Sequence, residues 1–114
     1  MTKTGFDLED RTAKFAEDCR DYFKKLPKTQ SNIEYSGQGI RSSGSTASNY
    51  IEANEALSKK DFYMRIKISK KEAKETRLWV RLSEPLPKQE AEKRRLMREA
   101  TELVRIFSTI VKSS

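Results

Sequence analysis

The segment from Ile33 to Leu57 constrains the fold more than any other part of the chain, because it admits two opposite interpretations. Its middle, Ser36 to Ser48, is crowded with Ser and Gly, a composition typical of a flexible linker. However, small and apolar residues recur at steps of four and three, which places them on one side of a helix. We call this side the small-residue face: Ile33, Gly37, Ile40, Gly44, Ala47, Ile51 and Asn54.

We predict that this segment is a helix and that its small-residue face lets a neighbouring helix approach closely. The unbroken spacing and the absence of Pro favour the helix. The opposing effect is the cost of an interior Gly, about 1 kcal/mol relative to Ala, which applies at Gly37, Gly39 and Gly44. If that cost prevails, the helix is frayed between Gly37 and Gly44.

Three further segments show the apolar periodicity of amphipathic helices. In the first, Asp7 is a plausible N-cap and Pro27 ends the helix, while the third begins with Ser58-Lys59-Lys60-Asp61, which resembles a capping box. We place the four helices at about 7–26, 31–57, 59–83 and 88–112. Because the connections are short, the prediction is a single all-α domain, 1–114, folded as an up-down-up-down antiparallel four-helix bundle.

The third helix carries an unusual outer face. A simple bundle helix is polar opposite its core stripe, whereas this one has large apolar side chains there, and such exposed patches mark interaction surfaces. We predict self-association through this face; the alternative is that the helix is central and these residues are core. The candidate interface residues are Met64, Ile68, Leu78, Trp79 and Leu82, together with Arg41, Asn49 and Glu52 on the second helix.

Basic residues concentrate on another side of the third helix. The formal net charge is +7, and basic proteins attract polyanions by releasing counterions. A stripe of Lys and Arg contacts phosphates without reading bases, although a merely solvated helix face would show the same pattern. The candidate nucleic-acid-binding residues are Lys60, Lys67, Lys70, Lys71, Lys74, Arg77 and Arg81, extended by Arg94, Arg95 and Arg98 on the fourth helix.

The residues that enzymes most often use are scarce. The chain has no His and one Cys, which removes the commonest general base and any Ser-His or Cys-His pair. Neither phosphate-binding glycine motif occurs. We expect no enzymatic activity, no cofactor and no metal site. No stretch is long and apolar enough to span a membrane, so we expect a cytoplasmic protein with no membrane partner.

One stretch of the second helix resembles a known family. The run R-S-S-G-S-T-A-S-N-Y-I-E-A, from Arg41 to Ala53, is similar to the helix-two signature of the four helix bundle proteins known as 23S rRNA intervening sequence proteins. In that signature an Arg precedes small residues, Asn and Glu, and here Arg41, Asn49 and Glu52 fill those places. S-K-K-D-F and K-K-E-A-K-E-T-R-L-W, further along, also resemble the family, so the likeness covers nearly the whole chain.

The resemblance implies a left-handed bundle that assembles as a ring-like homopentamer, without enzymatic activity. Some members of the family are encoded within inserts that interrupt large-subunit ribosomal RNA genes. A similar pentameric bundle, the accessory variability determinant of diversity-generating retroelements, binds a reverse transcriptase and nucleic acid. The resemblance therefore implies RNA or DNA, a reverse transcriptase or a ribosomal component as partner.

Two functions remain open from the sequence. The first is a homo-oligomeric scaffold that binds nucleic acid, or a nucleic-acid-processing protein, through its Lys/Arg surface. The alternative is a structural protein–protein interaction module with no nucleic-acid role, whose basic surface is only solvated.

Overall fold

The computed structural model describes residues 3–113, with side chains described from Leu8 onward. Four long helices follow one another: α1 (Lys3–Lys24), α2 (Gln30–Asn54), α3 (Lys59–Leu82) and α4 (Glu90–Lys112), the last preceded by one turn of 3₁₀ helix at Pro87–Gln89. Short connections return the chain each time, and the molecule measures 44 × 24 × 19 Å. The predicted all-α four-helix bundle is confirmed.

The helix ends follow local chemistry. Ser58 caps α3 as predicted, because its side chain accepts a hydrogen bond from the backbone N–H of Asp61 at 3.1 Å. Thr29 caps α2 in the same way through the N–H of Asn32. The first helix begins at Lys3, so Asp7 lies within it rather than at its N-cap, and the side chain of Asp7 lies outside the described residues.

The core is built from large apolar side chains of three helices. The apolar stripes of α1, α3 and α4 face the core, with Phe62 and Ile110 half-buried at its edge. The largest fully buried side chains include Phe15 and Phe23 of α1, Ile66 of α3 and Phe107 of α4. The second helix adds Tyr50, whose ring lies 6.3 Å from that of Phe107, centroid to centroid.

The prediction that the small-residue face of α2 packs into the core is wrong, although the helix itself is unbroken. Ile33, Ile40 and Ile51 are 58%, 37% and 46% exposed. The buried side of α2 lies about a third of a turn away and consists of Asn32, Gly39, Ser42, Ser43, Thr46, Tyr50 and Ala53.

Hydroxyl groups explain how a polar side of α2 can be buried. Ser42 Oγ and Thr76 Oγ1 share a hydrogen bond of 2.7 Å, and Thr46 Oγ1 donates to the carbonyl of Ser42 at 2.9 Å. Ser69 Oγ donates to the carbonyl of Thr46 at 3.0 Å. Because these buried polar groups are paired, their burial carries no large desolvation penalty.

Asn32 is a buried residue that the sequence patterns did not single out. Its side-chain amide donates to the carbonyls of Pro27 and Glu84, both at 3.0 Å, and its Oδ1 accepts from the N–H of Glu84 at 2.9 Å. It therefore joins the α1–α2 connection to the residues after α3. A single Asn in the first turn of a helix gives no periodic signal, which is why it was missed.

Candidate interaction surfaces

Helix α3 lies between α2 and α4 and has two distinct flanks. On the α2 flank, Arg65 Nη1 donates to Asn49 Oδ1 at 3.0 Å, and the rings of Trp79 and Tyr35 stack with centroids 6.1 Å apart. On the α4 flank, Arg77 Nη1 donates to Thr101 Oγ1 at 3.1 Å. These contacts fix which α3 residues face each neighbouring helix.

The α4 flank of α3 is basic along its whole length. Helical spacing, about 100° per residue, places the other cations of α3 on the same flank as Arg77 or on the adjoining outer surface, and no carboxylate of α3 lies on the flank itself. The cations here are Lys59, Lys60, Lys67, Lys70, Lys71, Lys74, Arg77 and Arg81. Arg94 and Arg98, on the outer α3-facing side of α4, continue this surface, and we call the whole set the basic face.

Most cations of the basic face lack a carboxylate partner. Among residues 8–113, the only ion pair that involves the face joins Lys71 Nζ to Glu72 Oε2, at a long 3.9 Å. Arg77 bonds a neutral hydroxyl, so its guanidinium keeps its full charge and further donors. An uncompensated row of this kind is suited to bind phosphates rather than to stabilise the bundle.

Arg95 does not belong to the basic face, although the sequence analysis placed it there. Its Nη2 atom lies 2.6 Å from Glu92 Oε2 and 2.9 Å from Asp18 Oδ2, on the α1 side of α4. The pKa of the Arg95 guanidinium is raised, because the hydrogen bond to Glu92, together with that to Asp18, outweighs the lowering effect of burial. The role of Arg95 is therefore to join helices.

Arg105 is a cation near the basic face that sequence reasoning missed. It lines a shallow depression of about 350 Å³ on α4 with Met97, Arg98, Thr101 and Glu102. Its Nη1 atom lies 2.8 Å from Glu102 Oε1, so it is partly compensated. The steps of four, three and four from Arg94 through Arg98 and Thr101 to Arg105 were available in the sequence and indicate the same helix side.

The predicted self-association face divides into an exposed and a half-buried part. Met64, Leu78 and Leu82 are 48%, 43% and 40% exposed. Ile68 and Trp79 are half-buried, and Trp79 packs against the core as well as on Tyr35. The alternative, that these residues form part of the core of a single chain, therefore holds in part for Trp79. The side chains of Met64, Leu78 and Leu82, by contrast, are left exposed by the single chain.

The three α2 residues assigned to the same face have different surroundings. Arg41 is exposed and its Nη1 donates to Gln38 Oε1 of its own helix at 2.8 Å. Asn49 Nδ2 donates to the carbonyl of Ser45 at 3.0 Å, and its Oδ1 is occupied by Arg65. Glu52 is exposed and lines an open groove of about 270 Å³ at the α2–α3 turn. Asn49 therefore stabilises the α2–α3 pair, while Arg41 and Glu52 remain at the surface.

Glu72 lies on the α2 flank of α3 beside these residues, with 18% of its side chain exposed. Burial raises the pKa of its carboxyl group, and the charge of Glu75 raises it further, while Lys71 and Arg41 oppose the shift. Glu72 and Glu75, together with Glu52 on α2, make this side of the molecule more acidic than the basic face.

Within the described residues, the side chains that most often hold a metal ion are dispersed. No group of three or more His, Cys, Asp or Glu side chains there is arranged to hold a metal ion. Cys19 is fully buried, and burial raises the pKa of its thiol, which keeps it protonated and unreactive. None of the helices described for this chain has the length and apolar character needed to cross a membrane.

Comparisons with known proteins agree with the fold. The family model of the 23S rRNA-intervening sequence protein matches residues 6–109. A solved structure of a protein with unknown function from the S23 ribosomal protein family, from Bacteroides thetaiotaomicron, superposes with a TM-score of 0.80 at 28% sequence identity. The similarity covers 95% of this chain and 97% of that one. No curated protein matches the chain.

Proposed function

We infer that the chain, which belongs to the 23S rRNA-intervening sequence protein family, is a non-enzymatic, cytoplasmic scaffold that binds nucleic acid through its basic face. The observation that carries this inference is the α4 flank of α3, where cations follow one another from Lys59 to Arg81 without a carboxylate. Because these cations have almost no carboxylate partners among residues 8–113, their positive charge is concentrated on one side of the molecule, where it attracts a polyanion.

The geometry of the basic face suits a nucleic-acid backbone. From Lys60 to Arg81 the helix rises about 1.5 Å per residue, or roughly 30 Å in all, so that several successive phosphates lie within reach of long cationic side chains. Lys and Arg contacts to phosphate set affinity and position without reading base sequence. Binding is therefore expected to be strong at low salt and tolerant of sequence.

The scaffold is proposed to be a homo-oligomer, and the resemblance to pentameric bundles makes a pentamer the expected form. Met64, Leu78 and Leu82 support an assembly because they leave apolar surface exposed on the single chain. Repetition of the basic face around a ring would raise the affinity for a long polyanion through avidity. RNA or DNA, alone or held by a reverse transcriptase or a ribosomal component, is the proposed partner.

The test is a binding titration with a fluorescent RNA and a DNA of the same sequence. For the wild type, affinity should fall by a factor of about 1,000 between 50 and 200 mM salt. The variant Lys67→Glu/Lys70→Glu/Lys74→Glu should abolish binding. A matched control, Lys24→Glu/Lys25→Glu/Lys28→Glu, makes the same change of net charge near the α1–α2 connection and should weaken binding only slightly. Absence of wild-type binding at low salt, or equal loss in both variants, would refute the proposal.

The alternative function is a protein–protein interaction module without a nucleic-acid role. The observation that favours it is the apolar surface of α3 together with Leu57, which is 98% exposed at the α2–α3 turn. Capture of a protein partner that persists after nuclease treatment, and that the triple Lys→Glu change leaves intact, would support this alternative.

A further inference from the structure

Tyr63 is the one aromatic residue on the α4 flank of α3 within the described chain. Lysines surround it at helical spacing: Lys59 and Lys60 lie one turn before it, Lys67 one turn after it and Lys70 two turns after it. No carboxylate within residues 8–113 forms an ion pair with any of these four lysines. An aromatic ring flanked along the helix by cations without carboxylate partners differs from the rest of the basic face, which was defined by its Lys and Arg residues.

The ring of Tyr63 is held in place by the bundle. It meets the ring of Phe62 in an edge-to-face arrangement, with centroids 5.1 Å apart and planes inclined by 78°. Phe62 packs against the hydrophobic core, and Tyr63 is itself half-buried. Because the phenol ring is already restrained, stacking of a planar group on its exposed part costs little side-chain entropy.

We propose that the basic face binds single-stranded nucleic acid and that an unpaired base stacks on Tyr63 while the flanking lysines contact the adjacent phosphates. This inference rests on the proposed function and adds the class of ligand to it. Lysines alone would bind duplex and single strand by the same phosphate contacts. Stacking on an aromatic side chain selects unpaired bases, because a base pair hides both faces of each base within the duplex stack, and it tolerates any sequence.

The test compares an unstructured oligonucleotide of about 12 nucleotides with the duplex of the same sequence, at one low salt concentration. Replacing the ring, Tyr63→Leu, should weaken single-strand binding about tenfold or more and leave duplex binding unchanged. Tyr63→Phe keeps the ring and should bind both ligands as the wild type does. Lys67→Ala should weaken both ligands alike and reduce the steepness of the salt dependence, which Tyr63→Leu should not.

The outcomes separate this inference from the proposed function. If the wild type binds neither ligand, both are overturned. If the wild type binds but prefers the duplex, or if Tyr63→Leu binds single strands as the wild type does, the basic face binds phosphates without stacking and only the inference fails. Circular dichroism of each variant should show unchanged helicity. If Tyr63→Leu loses helix, the deciding variant is Tyr63→Trp, which should retain or raise the affinity for single strands.

Discussion

At the scale of single residues, Asp18 shows how the bundle holds α1 to α4. Its two carboxylate oxygens accept from Lys14 Nζ at 2.8 Å and from Arg95 Nη2 at 2.9 Å, and only 14% of the side chain is exposed. Burial alone would raise the pKa of Asp18, but the hydrogen bonds from Lys14 and Arg95 outweigh it, so the net pKa is lowered. The ionised form therefore contributes to stability.

Asp18→Asn should lower the free energy of unfolding by about 1 kcal/mol at pH 7, because two charge-assisted hydrogen bonds are weakened. Since the folded pKa lies below the unfolded value of about 3.9, the stabilisation is present above that value and is lost as the pH falls through the folded pKa. Urea unfolding at pH 7 and at pH 2.5 should show the wild type and variant converging in acid. Asp21→Asn is the control, because Asp21 is half exposed and, among residues 8–113, pairs only with the adjacent Arg20. A difference that persists in acid would contradict this account.

The misplacement of Arg95 also belongs to the residue scale. Arg94, Arg95 and Arg98 are close in sequence, yet consecutive helical residues point about 100° apart, so Arg95 cannot share a side with both others. The spacing was sufficient to separate it from Arg94. What the sequence did not contain was the distance to Asp18, which depends on how α1 packs beside α4.

At the scale of the helices, α2 was the hardest to orient from sequence and the others the easiest. Large apolar side chains mark the buried side of α1 and α4 clearly, and Ile66 marks that of α3 although this helix carries further apolar residues on its outer surface. Exposing Phe15, Ile66 or Phe107 would cost about 2 kcal/mol each. In α2 the candidates were Ile on one side and Ser, Thr and Tyr on another. The hydroxyl pairs with α3, such as Ser42 with Thr76, are contacts between helices and leave no periodic signal within α2.

The two sides of α2 differ most clearly at their glycines. Gly39 faces the ring of Phe23 so closely that an added Cβ would lie 2.1 Å from its Cε2 atom. At Gly44 an added Cβ would meet nothing within 4 Å. Only Gly39 therefore provides the close helix approach that the sequence analysis had assigned to the whole small-residue face.

Gly39→Ala and Gly44→Ala should change stability in opposite directions. The methyl group at position 39 forces Phe23 out of place, and such overpacking costs about 1–3 kcal/mol, more than the helix propensity gained. At position 44 only the propensity term acts, so the free energy of unfolding should rise by about 0.5–1 kcal/mol. Urea denaturation followed by circular dichroism measures both. Equal effects of the two substitutions would mean that α2 is rotated from the orientation described.

At the scale of the whole molecule, charge and exposed apolar surface are segregated on α3. The basic face adjoins α4, whereas Glu52, Glu72 and Glu75 give the α2 side an acidic character. Met64, Leu78 and Leu82 lie between these two regions on the outer surface. The sequence predicted separate basic and apolar sides of α3, because helical spacing alone assigns residues to sides. It could not show which of the apolar residues are covered by the chain itself, as Trp79 is.

The difference between exposed and half-buried apolar residues of α3 decides which substitution tests assembly. Trp79→Ala would remove packing against the core and the stack on Tyr35, so a loss of oligomer could follow from damage to the monomer. Leu78 is 43% exposed and its replacement leaves the core intact. Leu78→Asp is therefore expected to lower the oligomer mass without lowering helicity, because a carboxylate at an apolar contact pays a desolvation cost in the assembly only.

Leu86→Asp supplies the matched control, since Leu86 is 42% exposed but lies in the α3–α4 connection, away from the outer surface of α3. Light scattering behind a sizing column should give the wild type and Leu86→Asp the same multiple of the monomer mass, five for a pentamer. Leu78→Asp should elute with a smaller mass, and Met64→Asp should act in the same direction because both side chains lie on one outer surface. A monomeric wild type, or equal masses for all four proteins, would show that the apolar surface of α3 does not join copies of this chain.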